Sequence, residues 1–199
     1  MTPRITLICH ATTRDLRAAT FGGDDSLDDT GAAQARSLAG TLAAPVARCW
    51  SSPAARARET AAAMGFEPTV DERLRECDFG RWSGLKFSKV LLREPRRLVK
   101  WIRDPASAPH GGESIPQVLN RVAAWLAEQE REPGHTVAIT HSSVVRAALV
   151  HVLQAGLPAF WRIDLTPLSR TELRTNGRRW VLRSIKVYEA QEGAAQDRA

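Results

Sequence analysis

The chain has 199 residues, of which 43% are hydrophobic and 25% charged. This composition is typical of a globular protein and excludes a fibrous or disordered one. No run of about 18 apolar residues is present, so no segment is expected to span a membrane.

The formal net charge is +6, which favours an anionic partner. The basic residues are scattered along the chain, and none of the usual nucleic-acid-binding motifs occurs. We therefore expect a small phosphorylated substrate as the partner, and neither nucleic acid nor a membrane. The sequence leaves the oligomeric state open, a dimer included.

The length suits one domain, which we assign to residues 1–188, followed by a polar tail at residues 189–199. No signal peptide is recognised at the N-terminus, which predicts a cytoplasmic protein. The three cysteines, Cys9, Cys49 and Cys77, have no paired spacing. We expect them to be reduced, with neither a disulfide framework nor a zinc site.

Apolar periodicity predicts strands and helices that alternate along the chain. The predicted strands are residues 5–9, 46–50, a short extended segment at 67–74, 136–140, 160–165, 171–174 and 179–187. The predicted helices are residues 30–42, a helix after the Ser51-Ser52-Pro53 turn, and residues 90–102, 115–126 and 144–153. The alternation favours an α/β fold with a mostly parallel sheet. The turn Thr175-Asn176-Gly177-Arg178 predicts that the last two strands form a hairpin.

Two of the predicted strands end in a histidine. His10 follows residues 5–9 and His141 follows residues 136–140, while a third strand leads through a serine turn to Arg56. Because the carboxyl ends of parallel strands meet at one edge of a sheet, we expect the three side chains to open into one crevice.

These side chains suit phosphoryl transfer. A neutral imidazole can attack phosphorus and form a phosphohistidine, which divides one difficult displacement into two easier ones. Arg56 and the second histidine would stabilise charge on the phosphoryl oxygens. A carboxylic acid must protonate the leaving oxygen, and Glu76 and Glu113 are both candidates.

Five blocks between residue 5 and about residue 149 resemble the histidine phosphatase superfamily, in its phosphoglycerate-mutase-like branch of small phosphatases. The blocks are Leu7-Ile8-Cys9-His10-Ala11 with the loop at residues 21–28, Ser52 to Ala61, Leu74-Arg75-Glu76 with Trp82-Ser83-Gly84, Gly111-Gly112-Glu113-Ser114, and Thr140-His141. The resemblance implies a three-layer α/β/α sandwich with a mostly parallel central sheet, and no cofactor or metal. The implied catalytic residues are His10, Glu76 and His141, and the implied phosphate-binding residues are His10, Arg56, His141 and Ser142.

The chain departs from the family pattern beside the implied nucleophile. Cys9 stands where the family has an arginine, Ala11 where it has a glycine and Thr12 where it has an acidic residue. A hydrogen bond to a charged group contributes roughly 1.5–3 kcal/mol, so the missing arginine predicts phosphate binding or turnover about ten- to a hundredfold weaker. Arg14 and Arg58 are the candidates to replace it.

Cys9 beside His10 also suggests a cysteine nucleophile or a metal pair. No further ligand lies at a suitable spacing, which favours a small residue that fills space at the end of a strand. We therefore place Cys9 at the rim of the site with Arg14 and Arg58. Glu113 is expected to fix a loop or to line the rim rather than to serve as the acid.

The sequence thus predicts a phosphomonoester hydrolase that acts through a phosphohistidine on a small phosphorylated metabolite, with activity weakened at Cys9. Similarity at Trp82-Ser83-Gly84 and residues 104–114 supports one alternative, an α-ribazole-phosphatase-like enzyme of cobalamin assembly. A phosphate-binding pseudoenzyme is the other alternative, because the usual arginine is missing.

Overall fold

The computed structural model describes residues 2–42, 44–175 and 177–188, and its centre is one six-stranded sheet. The strands are β1 (Arg4–Cys9), β2 (Arg48–Ser51), β3 (Thr69–Val70), β4 (His135–Thr140), β5 (Arg170–Thr175) and β6 (Trp180–Lys186). Their order across the sheet is β3-β2-β4-β1-β5-β6.

Parallel pairing dominates the sheet. β1 and β2 flank β4 and pair with it in parallel, as β3 does with β2. β5 runs antiparallel to both β1 and β6. Every residue of β4 is buried, as expected for a central strand that is covered on both faces.

The α-helices of the described residues are α1 (Arg14–Arg17), α2 (Asp29–Ser37), α3 (Ala55–Ala63), α4 (Phe87–Arg93), α5 (Pro95–Arg103), α6 (Ile115–Gln129) and α7 (Ser142–Val152). Short 3₁₀ helices lie at Glu72–Leu74, Gly80–Trp82 and Leu157–Arg162. None of the described helices has the length and hydropathy needed to cross a bilayer.

Helices cover both faces of the sheet, because the side chains of each strand alternate between the faces. Leu7 of β1 packs with Trp125 of α6 and Val145 of α7. Ile8, the next residue, packs on the other face with Ala57 of α3. The predicted three-layer α/β/α sandwich with a mostly parallel sheet is confirmed.

A smaller aromatic cluster lies under α4 and α5. Its buried members are Phe21, Trp82, Val90, Leu98 and Trp101. The rings of Phe21 and Trp101 meet edge to face with centroids 5.7 Å apart. This packing fixes the loop between β1 and α2 against the two helices.

The prediction of one continuous helix at 90–102 is wrong, because the structure has two helices there, α4 and α5. The break falls at Glu94, whose φ of −135° and ψ of 50° lie outside the helical range. Proline disfavours the helical conformation in the residue that precedes it. Pro95 itself begins α5, where an N–H would have no partner within the helix.

The predicted strand at 160–165 is also wrong, because Leu157–Arg162 is a 3₁₀ helix. The aromatic pair Phe160 and Trp161 favours a strand by propensity, but Pro158 has a fixed φ that suits the first turn of a helix. The helix predicted to reach residue 42 ends at Ser37, shortly before the poor helix former Gly40.

Two smaller elements also differ from the sequence-based expectation. Residues 72–74 of the predicted extended segment form a 3₁₀ turn, which Asp71 caps by accepting a hydrogen bond from the backbone N of Arg73. The short helix α1 was not predicted, and the hydroxyl of Thr13 caps it. The antiparallel pairing of the final hairpin is confirmed, although Asn176 and the predicted tail at 189–199 lie outside the described residues.

A stability prediction concerns Gly31, where α2 meets the loop after β1. A Cβ atom at Gly31 would overlap the carbonyl oxygen of Thr12, and Asp28 Oδ1 fixes this approach by accepting hydrogen bonds from Gly31 N (2.7 Å) and Thr12 Oγ1 (2.9 Å). We expect Gly31→Ala to lower the free energy of unfolding by about 1–3 kcal/mol, as measured by urea denaturation. Gly156→Ala is the control, since the nearest atom to its new methyl, beyond the adjacent residues, would be Pro158 Cδ at 3.7 Å. Equal losses in the two variants would contradict the prediction.

Candidate active site

The carboxyl ends of three adjacent strands bring the site together. His10 directly follows β1 and His141 directly follows β4, its parallel neighbour. β2, on the other side of β4, ends at Ser51 and leads into α3, which carries Arg56 in its first turn. The three side chains therefore meet at one edge of the sheet, where His10 and Arg56 line a cleft and His141 is fully buried.

Arg56 bridges the two histidines. Its Nε donates to His10 Nε2 (3.1 Å), and its Nη2 donates to His141 Nδ1 (3.2 Å). Its Nη1 donates to the carbonyl oxygen of Gly23. The arginine is 4% exposed, and the two imidazole centroids lie 5.1 Å apart. One buried guanidinium thus links three segments that are distant in sequence.

His10 is held in a single neutral tautomer. Its Nδ1 lies 2.7 Å from the carbonyl oxygen of Ala11, and because that oxygen can only accept, Nδ1 carries the proton. Nε2 therefore has its lone pair, which Arg56 engages. Burial, reinforced by the positive charge of Arg56, lowers the pKa of His10 to about 4. The imidazole is neutral near pH 7, which is the form that can act as a nucleophile.

His141 is the more deeply buried of the two histidines. Its Nδ1 accepts from Arg56, so the proton lies on Nε2, which is 2.7 Å from Ser52 Oγ. Burial lowers the pKa of His141 well below its usual range, and the neighbouring His10 and Arg56 side chains act in the same direction. Ser52, which comes directly after β2, therefore sets the orientation of this ring.

Glu76 brings a carboxylate to the edge of the cleft. Its Oε2 is 3.7 Å from His141 Nδ1. Its Oε1 accepts hydrogen bonds from the backbone N of Cys77 (2.8 Å) and from the hydroxyl of Ser143. The side chain is 21% exposed, so it can meet a ligand.

The carboxylate of Glu113 is hydrogen-bonded outside the cleft. Its carboxylate accepts from Arg75 Nη2 (2.8 Å), from Arg121 Nε (2.9 Å) and from the backbone N of Asp78 (3.0 Å). It does not line the cleft that contains His10. These contacts agree with a loop-fixing residue rather than the acid.

Two loops beside the cleft are joined backbone to backbone. Glu113 N donates to Asp78 O (2.8 Å), and Arg81 N donates to His110 O (3.1 Å). A Cβ atom at Gly112 would overlap the carbonyl oxygen of Asp78, so a glycine is needed for this close approach.

The loop between β1 and α2 closes the other side of the cleft. Asp24 Oδ1 accepts from Ala55 N (2.6 Å) at the start of α3, and Glu59 accepts from Leu27 N (2.8 Å). Asp25 Oδ1 lies 4.0 Å from Arg56 Nη1. The cleft is lined by His10, Thr13, Asp15, Leu16, Thr20, Gly22, Asp25, Arg56 and Glu76.

Arg14 and Arg58, the candidates to replace the arginine that the family has at position 9, do not line this cleft. The side chain of Arg14 is exposed on α1, and that of Arg58 is exposed on α3, two residues beyond Arg56. Ser142 is the first residue of α7, next to His141, and remains a predicted phosphate ligand.

Cys9 is 4% exposed and packs in the core cluster on the α6 and α7 side of the sheet. Burial raises the pKa of its thiol to about 11, so the thiol is protonated near pH 7. A protonated buried thiol is a poor nucleophile and a poor metal ligand. In the described part of the chain, no group of three or more His, Cys, Asp or Glu side chains is arranged to hold a metal ion.

Three polar residues of the site were not predicted from sequence, namely Ser52, Ser143 and Asp25. Ser143 lies two residues after His141, and Ser52 lies in the serine turn that leads to Arg56. That proximity was the available signal. Asp25 belongs to a loop whose acidic and glycine residues indicated only irregular structure. Its contact with Arg56 depends on the path of the loop, which the sequence does not reveal.

The comparisons with known proteins agree with this geometry. The sequence profile of the histidine phosphatase superfamily (branch 1) matches residues 5–187. The structure of mycobacterial glucosyl-3-phosphoglycerate phosphatase in complex with VO3 has a TM-score of 0.82 at 27% identity, covering 91% of this chain and 97% of that one. Phosphoserine phosphatase 1 of Hydrogenobacter thermophilus is 29% identical over an alignment of 194 residues, and the match covers 92% of each chain.

A bifunctional protein of Mycobacterium tuberculosis is 32% identical over 189 residues, covering 87% of this chain. The chain spans about half the length of that relative, 51%. With the profile match over nearly the whole described chain, these likenesses show that the chain belongs to the histidine phosphatase superfamily.

The lowered pKa of His10 predicts a dependence of stability on pH. Between the ordinary histidine pKa of 6.5 and the folded value of about 4, the unfolded chain binds a proton that the folded chain does not. Stability therefore falls as the pH is lowered through this window, by up to about 1.4 kcal/mol per pH unit for this residue.

The measurement is urea denaturation at about pH 6.5 and about pH 4.5. His10→Gln, which cannot titrate there, should show a smaller loss of unfolding free energy between the two conditions than the wild type. The same loss in both proteins would mean that His10 is not held neutral by the fold.

Proposed function

We propose that the chain is a phosphomonoester hydrolase that works through a phosphohistidine at His10. The observation that carries the proposal is the fixed neutral tautomer of His10, with the lone pair of Nε2 beside the buried guanidinium of Arg56. A nucleophile and a phosphate-binding cation are thus in contact at the same edge of the sheet. Membership of the superfamily supports the same chemistry.

In the first step, Nε2 of His10 bonds to phosphorus while the bond from phosphorus to the ester oxygen breaks. The ester oxygen keeps the electron pair and takes a proton from the carboxyl group of Glu76, so that the alcohol leaves. The N–H groups of Arg56 turn from His10 to the phosphoryl oxygens, which frees the Nε2 lone pair. Phosphorylated His10 and the Glu76 carboxylate remain.

In the second step, water attacks the phosphorus of the phosphohistidine and gives one proton to the Glu76 carboxylate. The phosphorus–nitrogen bond breaks, and its electron pair returns to Nε2. Inorganic phosphate leaves, and both His10 and Glu76 regain their starting forms. His141 contributes if it gains a proton at Nδ1, a form that an adjacent phosphate dianion favours.

The proposed substrate is a small phosphorylated metabolite. Two relatives are named for phosphoserine and for glucosyl-3-phosphoglycerate, which supports the class without selecting a member. α-Ribazole phosphate belongs to the same class and rests on the loop similarity alone. A panel of such phosphomonoesters, ranked by kcat/KM, would identify the substrate.

A phosphate-binding pseudoenzyme is the second candidate, and Asp25 favours it. The carboxylate of Asp25 lies 4.0 Å from Arg56 Nη1, where it offsets the positive charge available to phosphate. The thiol of Cys9 brings no charge in place of the family arginine. Both features reduce the stabilisation of charge on a transferring phosphoryl group, which would impair turnover, while Arg56 still offers a cation that can bind phosphate.

The proposal predicts hydrolysis of p-nitrophenyl phosphate in excess chelator. His10→Ala should reduce kcat by about a hundredfold or more, because the nucleophile is removed. His151→Ala is the matched control, since His151 is exposed on α7 and away from the cleft. The product is followed by absorbance, and phosphorus NMR of quenched enzyme should show a phosphohistidine.

Activity that survives in His10→Ala would overturn the covalent mechanism. Measurable phosphate binding without turnover of any ester would favour the pseudoenzyme.

A further prediction concerns Cys9. Cys9→Arg should tighten inhibition by vanadate and raise kcat/KM about tenfold or more, because a guanidinium makes charge-assisted hydrogen bonds that a thiol cannot make. Cys9→Met is the matched control, with added length and no charge. A lower melting temperature in Cys9→Arg with no gain in affinity would show that the core around residue 9 does not accept the guanidinium.

A further inference from the structure

The two oxygens of the Glu76 carboxylate have different surroundings. Oε1 accepts from the backbone N of Cys77 (2.8 Å) and from the hydroxyl of Ser143. Oε2 accepts neither of these bonds and lies 3.7 Å from His141 Nδ1. The carboxyl group is therefore fixed through Oε1, and Oε2 is available to carry the acidic proton.

The direction of the Ser143 hydrogen bond is set by its neighbour. The backbone N of Cys77 also approaches Ser143 Oγ at 3.3 Å, and that N–H can only donate. Ser143 Oγ therefore accepts from Cys77, and its own proton goes to Glu76 Oε1, because an ionised carboxylate can only accept. In this network both donors, the Cys77 N–H and the Ser143 hydroxyl, have an acceptor.

Ser143 lies on a rigid, buried part of the fold. It is 6% exposed and lies in the first turn of α7, two residues after His141. α7 is buried along most of its length against the sheet, so the hydroxyl sits on a rigid element. The same short segment thus fixes both His141 and the carboxyl group that faces it.

We propose that Ser143 is a positioning residue that directs the acidic proton of Glu76 onto Oε2. An oxygen that already accepts two hydrogen bonds is a poor site for a proton, so the proton occupies the other oxygen. Oε2 is the oxygen on the His141 side, and Glu76 lines the cleft in which a phosphomonoester would bind. The inference rests on the proposed function and adds to it the group that orients the acid.

The consequence is clearest in the first step, in which Glu76 protonates the leaving group. Without the Ser143 hydroxyl, the carboxyl group keeps only the Cys77 N–H and can rotate about its terminal bond. Poor leaving groups, which need the proton, would then react slowly. Good leaving groups, which depart as anions, would be little affected.

The test compares Ser143→Ala with the wild type on phenethyl phosphate and p-nitrophenyl phosphate. We expect kcat/KM, which reports the steps up to formation of the phosphohistidine, to fall about tenfold or more for the alkyl ester and to change less than about threefold for the aryl ester. Ser143→Thr, which keeps the hydroxyl, should restore the alkyl ester activity.

A double-mutant cycle with Glu76→Gln separates positioning from general damage. If Ser143 acts through Glu76, Ser143→Ala should cause no further loss in the Glu76→Gln background. Thr6→Val is the control for a lost buried hydroxyl, because Thr6 Oγ1 bonds His135 Nε2 (2.8 Å) in the first half of β1, away from the cleft. That variant should slow both esters equally or neither.

The outcomes of these experiments separate the positioning role of Ser143 from the phosphatase mechanism. Equal losses for both esters in Ser143→Ala, or the same loss with Glu76→Gln as without it, would overturn the positioning role while leaving the phosphatase proposal intact. Aryl hydrolysis that persists in His10→Ala would instead remove the phosphohistidine mechanism. A wild-type chain that turns over neither ester removes both proposals.

Discussion

The burial of one guanidinium, that of Arg56, is the constraint on which the rest of the site depends. A charge that is 4% exposed is costly unless its N–H groups have acceptors, and three N–H groups of Arg56 bond to two imidazole nitrogens and one carbonyl oxygen. Both imidazoles must be neutral to accept these bonds. The arginine therefore imposes the protonation states of His10 and His141 as well as their positions.

The parallel sheet supplies the positions that this arrangement requires. Because β4 lies between β1 and β2, the residues that follow these three strands are neighbours in space although they are far apart in sequence. Thr60 of α3 strengthens the connection, since its hydroxyl accepts from Ala11 N (3.0 Å) and donates to Arg56 O (2.7 Å). The loop after β1 and the helix that carries the arginine are thus held as one unit. A displacement of either would leave buried polar groups without partners.

The sequence predicted the parts of the fold that depend on local pattern. Apolar runs located β1 and β4, and their terminal histidines located two site residues. The break at Pro95 was missed because the apolar spacing continues across it, and the 3₁₀ helix at Phe160 was missed because aromatic residues also favour strands. The contacts of Asp25 and Ser143 could not be read from the sequence, since each depends on where a loop or helix end lies relative to another element.

The close approach of the loops at Asp78 and Gly112 has a consequence for how this protein can diversify. Two segments separated by about thirty positions share backbone hydrogen bonds, so neither can change its path alone. An insertion in one of them would leave backbone amides and carbonyls of the other without hydrogen-bond partners. Transfer of ligand preference between members of the superfamily by loop exchange should therefore succeed only when both segments are moved as a pair, with the glycine included.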